Sequence, residues 1–437
     1  MKKIAVSFGL VAVGTASLHA AYTLGSDSMQ TSKVWSLSGT LRGFYDDNYN
    51  TAPPGPSKRH SFGFEVSPSF SLNVPLDQTD IGVRYTYGLY YYQDRESHHE
   101  KPIDQTHQFD LWVNHAFTES WQASVQDSFV IAQDPELLNG GSPLRVEGNN
   151  INNVGSIELD TQWTRLLGSK FGYSNTYVDY QESGFNQNPA PPFGNGIASD
   201  AGLLNRDENL VWLELNWAVT PTLKPLIGYK FGLVNYTGGE EIYNETGTGL
   251  PNSYSYNRDN RSQYFYAGAE YDPLDNLTVS LKAGIQYVND YHPAAGLSAS
   301  TDIAPWVDLE ATYTYLPGSY VQAGFTQSQT ATDVPNASAT GQVTESQSSS
   351  TVYASINHQF TPKLTGSAIG KYIYGTYNQG AFNNQASNWY QLGLNLAYSF
   401  NNHLSTEIGY NYDKLNSNVP GQEYTENRVY LGVTATY

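Results

Sequence analysis

Long, strict alternation of apolar and polar residues is the feature that most constrains this chain. From Phe62 to Val74, the residues Phe62, Phe64, Val66, Pro68, Phe70, Leu72 and Val74 share one parity, and Gly63, Glu65, Ser67, Ser69, Ser71 and Asn73 share the other. Successive side chains of an extended strand point to opposite faces, so one face of this segment favours hydrocarbon and the other water. A strand in a soluble sandwich shows such alternation over about five or six residues. Runs of about ten residues or more, repeated and apolar on one parity, match a bilayer crossed at a tilt. The pattern predicts an all-β fold: a transmembrane antiparallel up-and-down β-barrel with short periplasmic turns and long extracellular loops.

With the apolar parity outward, about 18 strands are expected, within a span of about 16 to 20. They begin near residues 34, 61, 80, 106, 121, 152, 169, 208, 223, 261, 276, 303, 319, 350, 363, 387, 403 and 426. Tight connections, such as Pro75 to Asp80, Thr220 to Thr222 and Thr361 to Lys363, alternate with long ones, such as Asp47 to His60, Gln133 to Asn150, Gln181 to Arg206 and Gln327 to Gln347. The long ones fall at the end opposite both termini, which predicts periplasmic termini. The first and last strands must pair, because an open sheet edge is not tolerated in lipid. Pro68 cannot donate to a ladder and implies a bulge or local break. Asp127 falls on the apolar parity of Trp121, Ala123, Val125, Phe129 and Ile131, which calls for a register shift by a bulge or a contact with a neighbouring subunit. Asn175 and Asp179 pose the same question on the seventh strand.

Met1 to Ala20 carries Lys2 and Lys3, then the apolar run Ile4 to Val13, then small residues, and reads as a secretory signal peptide. The expected organisation is a signal peptide over 1–20, a short periplasmic lead-in over 21–32 and one barrel over 33–437. Mean hydropathy is −0.47, which a barrel tolerates because half of each strand faces water. The chain has no cysteine, so thiolate chemistry and disulfide staples are excluded. Its 35 Tyr, 17 Phe and 8 Trp suit aromatic girdles and a lined lumen. A net charge of −19 excludes nucleic acid as a partner and points to a cation-tolerant pore.

A barrel of this size is too wide for side chains to fill, so its polar parity is a pore wall. Arg42, Glu65, Arg84, Asp110, Glu214, Lys230, Glu270, Lys282, Asp308, Glu310, Lys371, Glu407 and Arg428 fall on that parity. Arg42, Arg84 and Arg428 lie near the closure seam. Glu270, Asp308 and Glu310 lie about half a circumference away, as opposed rows that would set a transverse field. The alternative is a set of solvated charges paired with neighbours, such as Glu65 beside Arg42 and Arg84. The loop Gln181 to Arg206 carries Phe193, Ile197, Leu203 and Leu204, costly to leave in water, and is a candidate constriction; Gln133 to Asn150 is a second. His98 and His99 lie between Glu96 and Glu100, but adjacent side chains on an extended loop point apart, so no metal and no cofactor is expected. His115 and His358 read as interfacial histidines.

The segments LRGFYDDN (Leu41 to Asn48), SFGFEVSPSFSLNVPLDQT (Ser61 to Thr79), DQTHQFDLWVNHAF (Asp104 to Phe117) and DSFVIAQDPELL (Asp127 to Leu138) resemble the putative β-barrel porins, type 2, exported proteins of Gram-negative bacteria. The resemblance implies an outer-membrane barrel with a porin-like role, and no catalytic residues or defined substrate. The function expected is passive diffusion of small hydrophilic solutes or ions with a mild cation preference. A non-conducting barrel acting as an adhesin or anchor through its loops is the alternative. An active transporter would need an amino-terminal plug, which the lead-in is too short to supply, and no Gly-x-Ser-x-Gly elbow of a hydrolase is present. Expected partners are outer-membrane lipid, small polar solutes or ions, and the assembly machinery. The last would read the terminal run Val429, Leu431, Val433, Ala435 and Tyr437. A homotrimer is an open alternative.

Overall fold

The computed structural model describes residues 34–132, 150–181, 184, 198–244, 252–334, 338 and 341–437. The expected signal peptide and lead-in lie outside them, as do most of Gln133 to Asn150 and the candidate constriction residues Phe193 and Ile197.

The alternating segments form strands. They are β1 (Trp35–Asp46), β2 (Ser61–Pro75), β3 (Thr79–Tyr92), β4 (Ile103–Thr118), β5 (Trp121–Ala132), β6 (Asn150–Gln162), β7 (Leu167–Tyr180), β8 (Arg206–Trp217) and β9 (Leu223–Tyr236) in the first part of the chain. A two-stranded hairpin, β10 (Glu241–Tyr243) and β11 (Ser253–Tyr254), occupies the next loop. The wall resumes with β12 (Asn260–Leu274), β13 (Leu277–Asp290), β14 (Ser300–Leu316), β15 (Ser319–Thr330), β16 (Thr344–Thr361), β17 (Leu364–Gln379), β18 (Ala386–Asn401), β19 (Leu404–Ser417) and β20 (Tyr424–Thr436). Excluding the hairpin, the strands form one 18-stranded antiparallel sheet in which each pairs with its chain neighbours.

The sheet closes on itself. β1 pairs with β2 and also with β20, from Ser38 opposite Thr436 to Asp46 opposite Arg428. Beyond the strand, Tyr437 N donates to Leu37 O at 2.8 Å and Leu37 N donates to Tyr437 O at 3.1 Å. The Tyr437 ring lies 5.6 Å from that of Trp35, so no strand edge remains unpaired along the seam. Trp121, Trp163, Trp217, Phe360, Phe400 and Tyr437 form an exposed aromatic girdle at the end carrying the tight turns. His115 and His358 join it: His115 Nδ1 lies 2.8 Å from Thr79 Oγ1, and His358 Nδ1 lies 2.8 Å from the Tyr315 hydroxyl.

Two sequence anomalies resolve differently. Pro68 pairs with Gly39 on β1, while the ladder to β3 is interrupted between Val66 opposite Leu89 and Ser69 opposite Thr86. The register is the same on both sides of the gap, so proline costs hydrogen bonds without creating a bulge. At Asp127 the expected bulge does not occur. It stands opposite Leu111 on β4 and Gly155 on β6 in uninterrupted register, which keeps it on the outer face.

Candidate functional site: the barrel lumen and its loop-covered mouth

Opposite the exposed apolar parity, the inner face is lined by charged residues and by rings lying over glycines of the adjacent strand. Trp112 lies over Gly82, Trp212 over Gly172, Tyr266 over Gly228, Tyr353 over Gly324 and Tyr430 over Gly409. In each case ring and glycine are cross-strand partners. A Cβ at Gly228 would sit 2.2 Å from the Tyr266 ring. Glycine thus lets a large ring lie flat along the wall instead of projecting into the lumen. Gly228→Val is expected to lift Tyr266 inward and lower single-channel current while the folded barrel persists. An unchanged current would mean that the ring does not border the conducting path.

Arg42, on β1, reaches two strands. Its Nη1 donates to Glu65 Oε1 at 3.0 Å, and its Nε donates to Glu407 Oε1 at 2.6 Å, passing over Gly432 of β20. Arg84 pairs with Asp110 at 3.0 Å, not with Glu65, and Arg428 pairs with Asp46 at 2.8 Å. Glu270 is held by Lys170 at 2.9 Å. Arg42, Arg84 and Arg428 near the seam and the carboxylate of Glu270 thus each have an oppositely charged neighbour on the wall.

The β6–β14 wall carries a wider lattice. Lys170 on β7 reaches Glu270 on β12, and Lys282 on β13 reaches Glu214 on β8 at 2.6 Å, each across two intervening strands. The Tyr266 hydroxyl donates to Glu214 Oε1 at 2.7 Å, and Trp212 Nε1 donates to Glu158 Oε2 at 3.2 Å. Lys230 lies over the Trp306 ring, 4.6 Å from its centroid. Glu310 accepts from Gln322 Nε2, and among the described residues no ion pair engages Asp308, Glu310 or Glu158. Lys371 sits over Trp389, 5.8 Å from its centroid.

At the end opposite the tight turns, loops fold over the lumen. The short helix α1 (Asp200–Leu204) is capped by Ser199, whose Oγ accepts from Gly202 N at 3.0 Å. Its Ala201, Leu203 and Leu204 are buried against inward-facing Val178 and Tyr180 of β7, Ile242 and Tyr243 of β10, and Val343. Two of the four expected constriction residues, Leu203 and Leu204, are thus packed inside the mouth. Val343 belongs to the β15–β16 loop, whose Val334 packs on the other side against Tyr377 of β17 and Val419. Arg258 ties these loops together. Fully buried, it donates from Nη1 to Leu203 O at 2.9 Å and from Nη2 to Thr332 O at 2.6 Å, and stacks 4.7 Å from the Tyr236 ring centroid. Arg206 Nη1 donates to Leu204 O at 2.9 Å.

Residues 205–437 match the family described as putative beta-barrel porin 2. The chain belongs to this family, and it forms an outer-membrane porin-type barrel. The match lies wholly beyond the four segments, ending at Leu138, that resemble the family. No curated protein matches the chain. Similar solved structures include Acinetobacter baumannii OccAB4, 14% identical over 94% of this chain and 100% of that one, with a TM-score of 0.41. Pseudomonas aeruginosa OpdO is 13% identical over 92% and 97%, with a TM-score of 0.40. The ferric enterobactin receptor PfeA of Pseudomonas aeruginosa, as a double mutant, is 11% identical over 92% and 80%, with a TM-score of 0.43.

In this porin-family barrel the most connected groups of the mouth and of the wall carry little local sequence signal. Arg258 lies in a loop outside any alternating segment. Lys170 and Trp212 sit on inward parity, but their partners are two or more strands away, which no local pattern reveals. The signal available was a basic residue among tyrosines, Tyr254, Tyr256 and Arg258, in a long loop. His98 and His99 are exposed on a 3-10 turn over Gln93–His98, with His99 at φ +63°.

Proposed function

We propose that the barrel is a passive diffusion channel for small hydrophilic solutes or ions, with a mild cation preference and restricted access at the loop-covered mouth. The observation that carries this reading is the inner face: charged and hydrogen-bonding groups line an 18-stranded wall, a girth at which side chains leave an aqueous path. In this reading the chain is exported by its leader, the tight turns and both termini face the periplasm, and the covered mouth faces outward. Cation preference is assigned to Asp308 and Glu310, two carboxylates of one strand that no ion pair engages among the described residues, whereas Glu65, Asp110, Glu214, Glu270 and Glu407 are paired with arginine or lysine. Single-channel recording of the refolded protein across a potassium chloride gradient tests both levels. Discrete steps with a cation-leaning reversal potential are expected, moving toward zero selectivity in Asp308→Asn/Glu310→Gln. An unchanged reversal potential in the double variant would remove these residues from the selectivity role. A correctly folded barrel that never conducts, even with its loops released, would favour an anchor or adhesin working through the loops.

A further inference from the structure

The outer face of β5–β8 is polar where a lipid-facing wall is expected to be apolar. Asp127, Gly155, Asn175 and Asn209 are successive cross-strand partners on β5, β6, β7 and β8. They share the parity of the exposed Ile157, Phe171, Val211 and Leu213. Asn153 Nδ2 donates to Asp127 Oδ1 at 3.1 Å and to Oδ2 at 3.2 Å. Across β7 and β8, Asn175 Nδ2 donates to Asp207 Oδ1, Asn209 Nδ2 donates to Asp207 Oδ2 at 3.1 Å, and the Tyr173 hydroxyl donates to Asn209 Oδ1 at 2.7 Å. Gly155 leaves a notch between the two halves of this network, with Asp127 Oδ1 3.0 Å from where a Cβ would stand.

We propose that this face is where copies of the chain associate within the membrane. A carboxylate exposed to hydrocarbon is costly on any barrel wall. Asp127 has a single methylene, and Phe129 and Ile131 follow it on the same face toward the loop end, so it cannot snorkel along the wall as a long side chain would. Its amide partner Asn153 neutralises no charge. A protein surface that supplies further donors removes the cost, and a second copy supplies them. All copies in one membrane insert with the same sense, so a closed assembly has its axis along the membrane normal and brings together groups of similar depth. Both halves of the patch carry amide donors beside carboxylate acceptors, which makes the face complementary to itself. The notch at Gly155 accepts a protruding side chain, and Ile157, Phe171 and Leu213 provide an apolar shelf beside it. Lipopolysaccharide headgroups, bridged by divalent cations, are the competing occupant. The inference rests on membrane insertion of the barrel and is independent of conduction.

The absence of native cysteine makes the test direct. Ile157→Cys in the full chain, treated in outer membranes with a flexible bifunctional maleimide, is expected to give a band at twice the monomer mass. Leu394→Cys, equally outward on the opposite side of the barrel, should not. By light scattering in mild detergent the wild type is expected at a multiple of the monomer mass, and Asp127→Leu/Asn175→Leu/Asn209→Leu at the monomer mass. That variant should retain the heat-modifiable mobility of a folded barrel and the wild-type current per barrel. Equal cross-linking at the two cysteines, or a monomeric wild type, overturns the proposal. So does a wild-type mass that falls on removing lipopolysaccharide with a chelator while the triple variant loses bound lipid alone; that result assigns the face to lipid. If the triple variant fails to fold, the cysteine pair still decides.

Discussion

Replacing Arg258 with alanine is expected to open the covered mouth of the barrel and raise single-channel current, without loosening the wall. The guanidinium is fully buried, and its two bonds run to carbonyls of different loops, Leu203 O before β8 and Thr332 O after β15. Hydrogen bonds from a charged donor contribute about 1.5–3 kcal/mol each, and losing the donor leaves buried carbonyls unsatisfied. A combined loss of about 3 kcal/mol shifts the ratio of covered to uncovered mouths by about a hundredfold. The apolar contacts of Leu203, Leu204 and Val343 remain, so the loops loosen without unfolding. The strands are held by their own ladders and by the β1–β20 seam, so thermal stability of the barrel should change little. Arg258→Lys keeps the charge but cannot direct two separate N–H groups at two carbonyls with the same geometry, and an intermediate current is expected. Currents equal to wild type in both variants would show that the solute path avoids these loops.

Much of this architecture is legible in the sequence because a barrel wall is written locally. Alternation fixes which residues face lipid, and tight turns such as Thr361 to Lys363 fix where strands reverse. Each strand then pairs with its chain neighbour, so the strand set read from the pattern agrees with the structure. The largest displacement is at β16, expected near 350 and observed from Thr344. There the run Ser346, Ser348 and Ser350 breaks the apolar signal on the outer parity, and nothing in the pattern marks a strand. What the sequence hides is whatever depends on curvature. Lys170 meets Glu270, and Lys282 meets Glu214, only because the sheet bends far enough for long side chains to span its concave face. The mouth is hidden for a second reason. Loop residues such as Arg258 and Val334 carry no periodicity, and their packing is set by which inward-facing side chains the closed barrel presents, such as Tyr236 and Tyr377. Asp127 is the reverse case: its parity was clear, and only the unbroken ladder on both sides shows that the parity holds.

Arg42→Met is expected to cost the barrel about 3 kcal/mol, the lower end of what breaking a buried ion pair costs, and to shift the reversal potential further toward cations. The side chains of Glu65 and Glu407 are 9% and 8% exposed, so neither recovers full hydration when the guanidinium is removed. They lie on β2 and β19, either side of the β1–β20 seam, and Arg42 reaches Glu407 by crossing β20 at Gly432. Its loss therefore releases a tie across the closure as well as leaving two inward carboxylates without a counter-charge. Two terms can be separated. If unpaired charge dominates, Arg42→Met/Glu65→Gln/Glu407→Gln should recover most of the stability and carry the reversal potential back past wild type to weaker cation preference, since the triple variant removes both acids along with the one base. If the tie dominates, the triple variant stays as unstable as the single one. Denaturant unfolding in lipid vesicles, read beside the reversal potential, distinguishes these cases. A stable Arg42→Met barrel with wild-type selectivity would mean that water in the lumen already screens both carboxylates, and that the seam is held by its backbone ladder alone.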